Sequence, residues 1–208
     1  MEKLVEGFKK FQAEVFGAKR ELFGRLSQSQ EPRALFITCS DSRIDPTMLT
    51  QTEPGELFIL RNAGNIVPSY GGVLGGSTAT IEYAVAVLGV KHVIVCGHTD
   101  CGVMRALLHP DTIEDLPAVQ NWMVQAETTR RIVRENYADL KGDDLLVATI
   151  QENVRAQLDH LKTHPAIAAA LRRGALTLHG WVYSIPTGDI WVYDEGKSNF
   201  VSLVGATP

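Results

Sequence analysis

A chain of 208 residues with 45% apolar side chains can bury one sizeable core, and its composition excludes a disordered or low-complexity protein. A formal charge of −4, with Lys and Arg scattered along the chain, argues against nucleic-acid and membrane-surface binding. No stretch approaches the roughly 18 apolar residues that cross a bilayer. The amino terminus, MEKLVEGFKKFQAEVFGAKREL, lacks the apolar centre of a signal peptide, and Glu2, Glu6 and Glu14 count against a transit peptide, so a cytoplasmic location is expected. Three cysteines cannot all pair within one chain, and a reducing compartment favours thiolate ligands over disulfides.

Residues 3–26 read as a helical arm, because Leu4, Phe8, Phe11 and Val15 recur at three- and four-residue steps, with Leu22 and Leu26 beyond. Such an arm packs on its own domain or on a neighbouring subunit. After the loop SQSQEP, ALFIT reads as a buried strand ending near Cys39. Asp45-Pro46 looks like a helix start, with Asp45 as cap and Pro46 in the first turn. ELFILRN is a second strand. The glycine-rich segment 71–76 opens a helix through about residues 79–88. HVIVC is a third strand, and CGVMRALL begins another helix. Two longer helices are expected over 117–137 and 143–163, and HPAIAAALRRG gives a short helix ended by Gly174. LTLHGWVYSI and DIWVYD, around PTGD, form a β-hairpin. Strands alternating with helices predict an α/β fold with a largely parallel central sheet, flanking helices and an antiparallel edge from the hairpin. No repeat or linker divides the chain, which reads as one domain over 1–208 with the arm at 1–26.

Two segments carry the chemistry: CSDSR at 39–43 and CGHTDC at 96–101. Both stand at the ends of predicted strands, where binding groups of open α/β sheets gather. His98 and Cys101 lie three positions apart on a strand-to-helix turn, and such local pairs bind zinc with a third ligand from a distant strand. Cys39 is placed to be that ligand, leaving one tetrahedral position open, as in catalytic zinc sites. Asp100 lies nearby. Cys96, inside VIVC, reads as a small buried hydrophobe, although a closed structural site using all three cysteines and His98 remains a rival. His92, His109, His160, His164 and His179 lack comparable spacing and read as surface or core. Asp41 could orient a metal-bound water or hydroxide, and Arg43 could keep that carboxylate ionised and out of the fourth position. A simple turn salt bridge is the plain alternative. GGVLGG is neither a Walker A loop nor a dinucleotide fingerprint, so close backbone packing is its expected role.

The order C-x-D-x-R, RNAGN at 61–65, EYA at 82–84 and H-x-x-C followed by glycine resembles the β-carbonic anhydrases. The resemblance implies zinc held by Cys39, His98 and Cys101, a catalytic Asp41–Arg43 dyad, and reversible hydration of carbon dioxide to bicarbonate. It further implies substrate contacts from Gln30, Phe58, Ala63, Tyr83 and the Gly102 amide. Phe36 and Thr38 stand where the bicarbonate-inhibited subgroup has tryptophan and glycine, which implies the plant-like, open-site subgroup. Val87 occupies a position where some plant members have a proton-shuttling histidine, so no shuttle is assigned. A homodimer, or a dimer of dimers embraced by the arms, is implied as well. Two other readings stay open: a carbonyl sulfide or carbon disulfide hydrolase on the same framework, and a non-catalytic structural zinc or redox module.

Overall fold

A computed structural model describes residues 1–72 and 74–204. The chain divides into two compact units, Met1–Glu31 and the remainder from Pro32. In the first, α1 (Glu2–Lys10) runs into a wider π-helical stretch, Phe11–Phe16, and α2 follows at Arg20–Leu26. The expected continuous arm is therefore broken at Lys19, whose φ of −110° and ψ of 27° leave the helical region. Three rings gather around the break. Phe16 stacks on Phe23 with centroids 5.0 Å apart, and Phe11 meets Phe23 edge-on at 5.8 Å.

The second unit is a six-stranded α/β sheet. Its strands are β1 (Ala34–Cys39), β2 (Leu57–Asn62), β3 (His92–His98), β4 (Thr177–Tyr183), β5 (Ile190–Asp194) and β6 (Asn199–Ser202), in the order β2-β1-β3-β4-β5-β6. The first four are parallel, and β5 and β6 are antiparallel additions. The predicted hairpin exists, but β4 belongs to the parallel sheet through its pairing with β3. The hairpin's second strand, β5, adds the expected antiparallel edge, and β6, a short strand with no clear signal in the sequence, extends it.

The connecting helices are α3 (Pro46–Thr50), α4 (Gly76–Ala86), α5 (Gly102–Leu108), α6 (Pro117–Met123), α7 (Glu127–Asn136), α8 (Gly142–Lys162) and α9 (Pro165–Arg172). Asp45 caps α3 as expected, its carboxylate accepting from the Met48 amide at 2.9 Å. The helix expected over 117–137 is two, joined by a tight 3₁₀ turn at Val124–Ala126. No described helix is long and apolar enough to cross a membrane.

Alternation along the strands divides the core. Leu35 and Ile37 of β1, with Val93 and Val95 of β3, pack into the larger cluster with Val154, Leu158 and Leu161 of α8. Phe36, Ile94 and Cys96 join Ile44 in a smaller one. Helix α8 comes close to the sheet over two glycines. A Cβ on Gly97 would stand 3.0 Å from Val154, and one on Gly180 only 2.9 Å from the same side chain. Close packing was expected of GGVLGG, where a Cβ on Gly72 would meet the Ser69 carbonyl at an ordinary 3.5 Å. There a Cβ on Gly71 or Gly76 would meet nothing within 4 Å, and Gly71 is needed for its φ of 94°. Residue 73 of that segment lies outside the described residues.

Candidate metal centre and active site

Parallel pairing sets the site. Strands β1 and β3 are neighbours, so their carboxyl ends bring Cys39 and His98 together. Beyond β3, the Thr99 amide donates to the Tyr183 carbonyl at 2.9 Å, and Asp100 adopts a left-handed φ of 56°. This turn delivers Cys101 as the N-cap of α5. The ligand atoms of Cys39, His98 and Cys101 all lie within 4.8 Å of one another, and all three residues are buried.

The imidazole is prepared for a cation. His98 Nδ1 lies 2.9 Å from the Thr99 carbonyl, a contact that places the proton on Nδ1 and frees the Nε2 lone pair. That Nε2 is buried without a hydrogen-bond partner, an expensive arrangement for a polar atom unless a metal takes it. Two sulfurs and one imidazole form a donor set suited to zinc. These three residues can hold a metal.

The three groups shift one another strongly. The neighbouring Cys101 thiol holds the Cys39 thiol well down towards thiolate against the cost of burial, helped by His98 and by the amides of Gly64 and Asp41. Cys101 is pushed up by the adjacent Cys39 sulfur and by burial. Burial alone would lower His98, but Cys39, the Thr99 carbonyl and Asp41 keep it above its ordinary value. Cys96 stands apart from the cluster. Full burial pushes its thiol up to about 12, so it is the inert core residue expected of VIVC.

Asp41 lies beside the cluster, its Oδ2 3.8 Å from His98 Nε2. Arg43 holds it by a fork: Nε donates to Oδ1 at 3.0 Å, Nη2 to Oδ2 at 2.7 Å, and the Arg43 amide to Oδ1 at 2.9 Å. The guanidinium keeps the Asp41 carboxyl far below the usual range. Arg43 also donates to Asp100 Oδ2 at 3.0 Å, and Arg105 donates to Asp100 Oδ1 at 2.6 Å. The dyad is thus part of a four-residue ion network. Asp100 was visible as an acid near the motif, but Arg105 carried no signal because only the turn brings it back.

A second unforeseen residue is Arg61. It donates to the carbonyls of Cys39, Asp41 and Ile44 at 3.1, 2.7 and 2.9 Å, tying down the loop that carries the dyad. The segment after β2 forms the other wall. Gly64 has a φ of 79°, and a Cβ there would stand 2.8 Å from Val103, so only glycine fits. Its amide donates to Cys39 Sγ at 3.4 Å. Asn153 on α8 donates to the Gly64 carbonyl at 3.0 Å, and Trp122 donates to the Ala63 carbonyl at 2.8 Å.

Of the expected substrate contacts, Ala63 precedes this glycine and Gly102 follows Cys101 at the start of α5. Phe58 and Tyr83 meet with centroids 6.2 Å apart, and Tyr83 remains 46% exposed. Gln30 belongs to the amino-terminal unit and is exposed. Val87 is exposed at the end of α4.

Residues 34–190 match the sequence profile described as carbonic anhydrase. A carbonic anhydrase of Pseudomonas aeruginosa is 49% identical over 205 residues, which span 98% of this chain and 92% of that protein. The solved β-carbonic anhydrase CcaA superposes with a TM-score of 0.95 at 47% identity, over 97% of this chain and 98% of the other. One of two tetrameric β-carbonic anhydrases of Sordaria macrospora aligns with a TM-score of 0.72 at 29% identity, over 100% and 95%. With the profile, a close relative and the fold in agreement, the chain belongs to the β-carbonic anhydrases.

Proposed function

We propose that the protein hydrates carbon dioxide reversibly to bicarbonate and a proton at a zinc ion held by Cys39, His98 and Cys101. The observation that carries this reading is the buried, unpartnered His98 Nε2 among two sulfurs, with Asp41 only 3.8 Å away. Zinc, when bound, supplies a Lewis acid that makes water nucleophilic near neutral pH. The chain's residues do the rest. Asp41 accepts a hydrogen bond from the attacking water and aims its lone pair at carbon. Arg43 holds both carboxylate oxygens, which keeps Asp41 charged and would restrain it from becoming a metal ligand itself.

The substrate wall is assigned to Phe58, Ala63 and Tyr83, with the Gly102 amide as a polar contact. An apolar wall suits a linear, uncharged substrate and offers bicarbonate little to hold it. The relatives' shared name, carbonic anhydrase, favours carbon dioxide over carbonyl sulfide or carbon disulfide, and an enzyme over a structural zinc or redox module. Stopped-flow hydration assays with zinc measured on the same sample test the proposal. Rapid turnover proportional to zinc is expected, and zinc-loaded protein without hydration would refute it.

The open-site reading rests on two positions in β1. Phe36 is buried edge-on against Trp181 at 6.1 Å, and Thr38 donates its hydroxyl to the Cys96 carbonyl at 2.8 Å. Both positions are filled by packed side chains. Bicarbonate should therefore inhibit only as a simple product, and a cooperative inhibition curve would contradict the subgroup. One domain with its arm, acting in the cytoplasm as a homodimer or dimer of dimers, completes the proposal. The tetrameric fungal neighbours support the assembly.

A further inference from the structure

Far from the catalytic cluster, two histidines converge on one hydroxyl. His92 opens β3 and pairs across the strands with Thr177, the first residue of β4. His179 lies two positions further along β4 and so points to the same face as Thr177. Six positions of β3 separate His92 from His98, which is about 20 Å of extended chain. Chain spacing could not reveal this pair, because the two residues meet only when the strands do.

The distances suit a cation. His92 Nδ1 and His179 Nε2 each lie 2.8 Å from Thr177 Oγ1, and the two nitrogens are 3.4 Å apart. Two imidazole nitrogens on one tetrahedral zinc, at roughly 2.0–2.1 Å each, stand about 3.3–3.4 Å apart. An ion above the triangle of these donors can meet all three at about 2.1 Å. We propose that His92, His179 and Thr177 form a second, surface site for a borderline-soft divalent transition cation of the class of Zn²⁺, Ni²⁺ or Cu²⁺.

Proton accounting is simple. Without a cation, one ring N–H donates to Thr177 Oγ1, whose own proton goes to the other ring. On binding, the donating ring passes that proton through water to its other nitrogen, the accepting ring already carries its proton there, and the hydroxyl turns to the Lys91 carbonyl, 3.5 Å away. Burial and the neighbouring His92 hold the His179 pKa down, so its lone pair is free at neutral pH. His92 is exposed, which gives the ion access, while His179 is half-buried and restrained. Among the described residues no carboxylate joins the pair. Water completes the coordination.

The test uses untagged, zinc-loaded full chain titrated with nickel chloride by calorimetry, with zinc assayed before and after. One Ni²⁺ per chain should bind while zinc stays in place. Losing an outer partner of a metal ligand already costs about 10–100-fold in affinity. His92→Gln and His179→Gln should therefore each weaken Ni²⁺ by about tenfold or more. X-ray absorption of the nickel-loaded wild type needs no variant and should show imidazole donors. Absent binding, undiminished binding in both variants, a spectrum without imidazole, or zinc displacement as the only reaction would each overturn the proposal.

Discussion

The Asp41 carboxylate accepts three short hydrogen bonds from Arg43, one from the amide and two from the guanidinium fork. If the pair works as one device, Asp41→Asn and Arg43→Ala should each lower hydration by roughly 10²–10³-fold with zinc retained. The first removes the charge that orients the attacking water, and the second frees the carboxylate to enter the metal's open position. The double variant should be little worse than either single one, because a shared function is lost only once. Additive losses, or near-normal activity in zinc-loaded Asp41→Asn, would reduce the pair to a surface ion pair. The pH dependence follows from the sign of the shift. Arg43 depresses the folded pKa of Asp41, so the stabilisation is complete above the unfolded value of about 3.9. It disappears as pH falls through the depressed folded value. The stability difference between wild type and Asp41→Asn should therefore stay constant from neutrality to about pH 5 and shrink only in stronger acid. Denaturant titrations across that range measure it. At this scale the sequence was informative: CSDSR and HTDC contain the cluster and the dyad in full. Arg61 was hidden inside RNAGN because its role is to hold backbone carbonyls, which no spacing announces.

At the scale of elements, the segment 62–67 connects the sheet edge to α8. Asn62 ties Ile66 at both its amide and carbonyl, and Gln157 accepts from the Val67 amide at 2.8 Å while donating to Asn153 at 2.9 Å. Asn153 in turn holds the carbonyl of Gly64, whose amide faces Cys39 Sγ. Asn153→Leu keeps the bulk but leaves the Gly64 carbonyl and a Gln157 N–H unpaired in the interior, costing about 1–3 kcal/mol for each. The melting temperature should fall by roughly 4–20 °C. Zinc affinity, read by chelator competition, should fall by about tenfold. Unchanged values for both would show that α8 does not brace the metal loop. The parallel strands were legible because apolar runs between helices have few other uses. The division between α6 and α7 was not, since Met123, Ala126, Thr129 and Val133 keep a helical period through the 3₁₀ turn. Strand β6 is too short, at NFVS, to stand out against a turn.

For the whole molecule, the amino-terminal unit has no buried residue in α1, and Leu4 and Phe8 are 70% and 60% exposed. An apolar surface of that kind marks an association element. Deleting residues 1–26 should weaken the proposed homo-oligomer, seen by sedimentation as smaller species or as loss of solubility. An unchanged oligomer would remove the arm from the assembly. Cys39 at the end of β1 and the pair His98 and Cys101 beyond β3 make one zinc site with room for a further ligand. X-ray absorption at the zinc edge, on protein purified near neutral pH, tests that most directly. One zinc per chain with two sulfur donors, one imidazole and one further light donor is expected. A shell with three sulfurs would draw in Cys96, close the fourth position and contradict it.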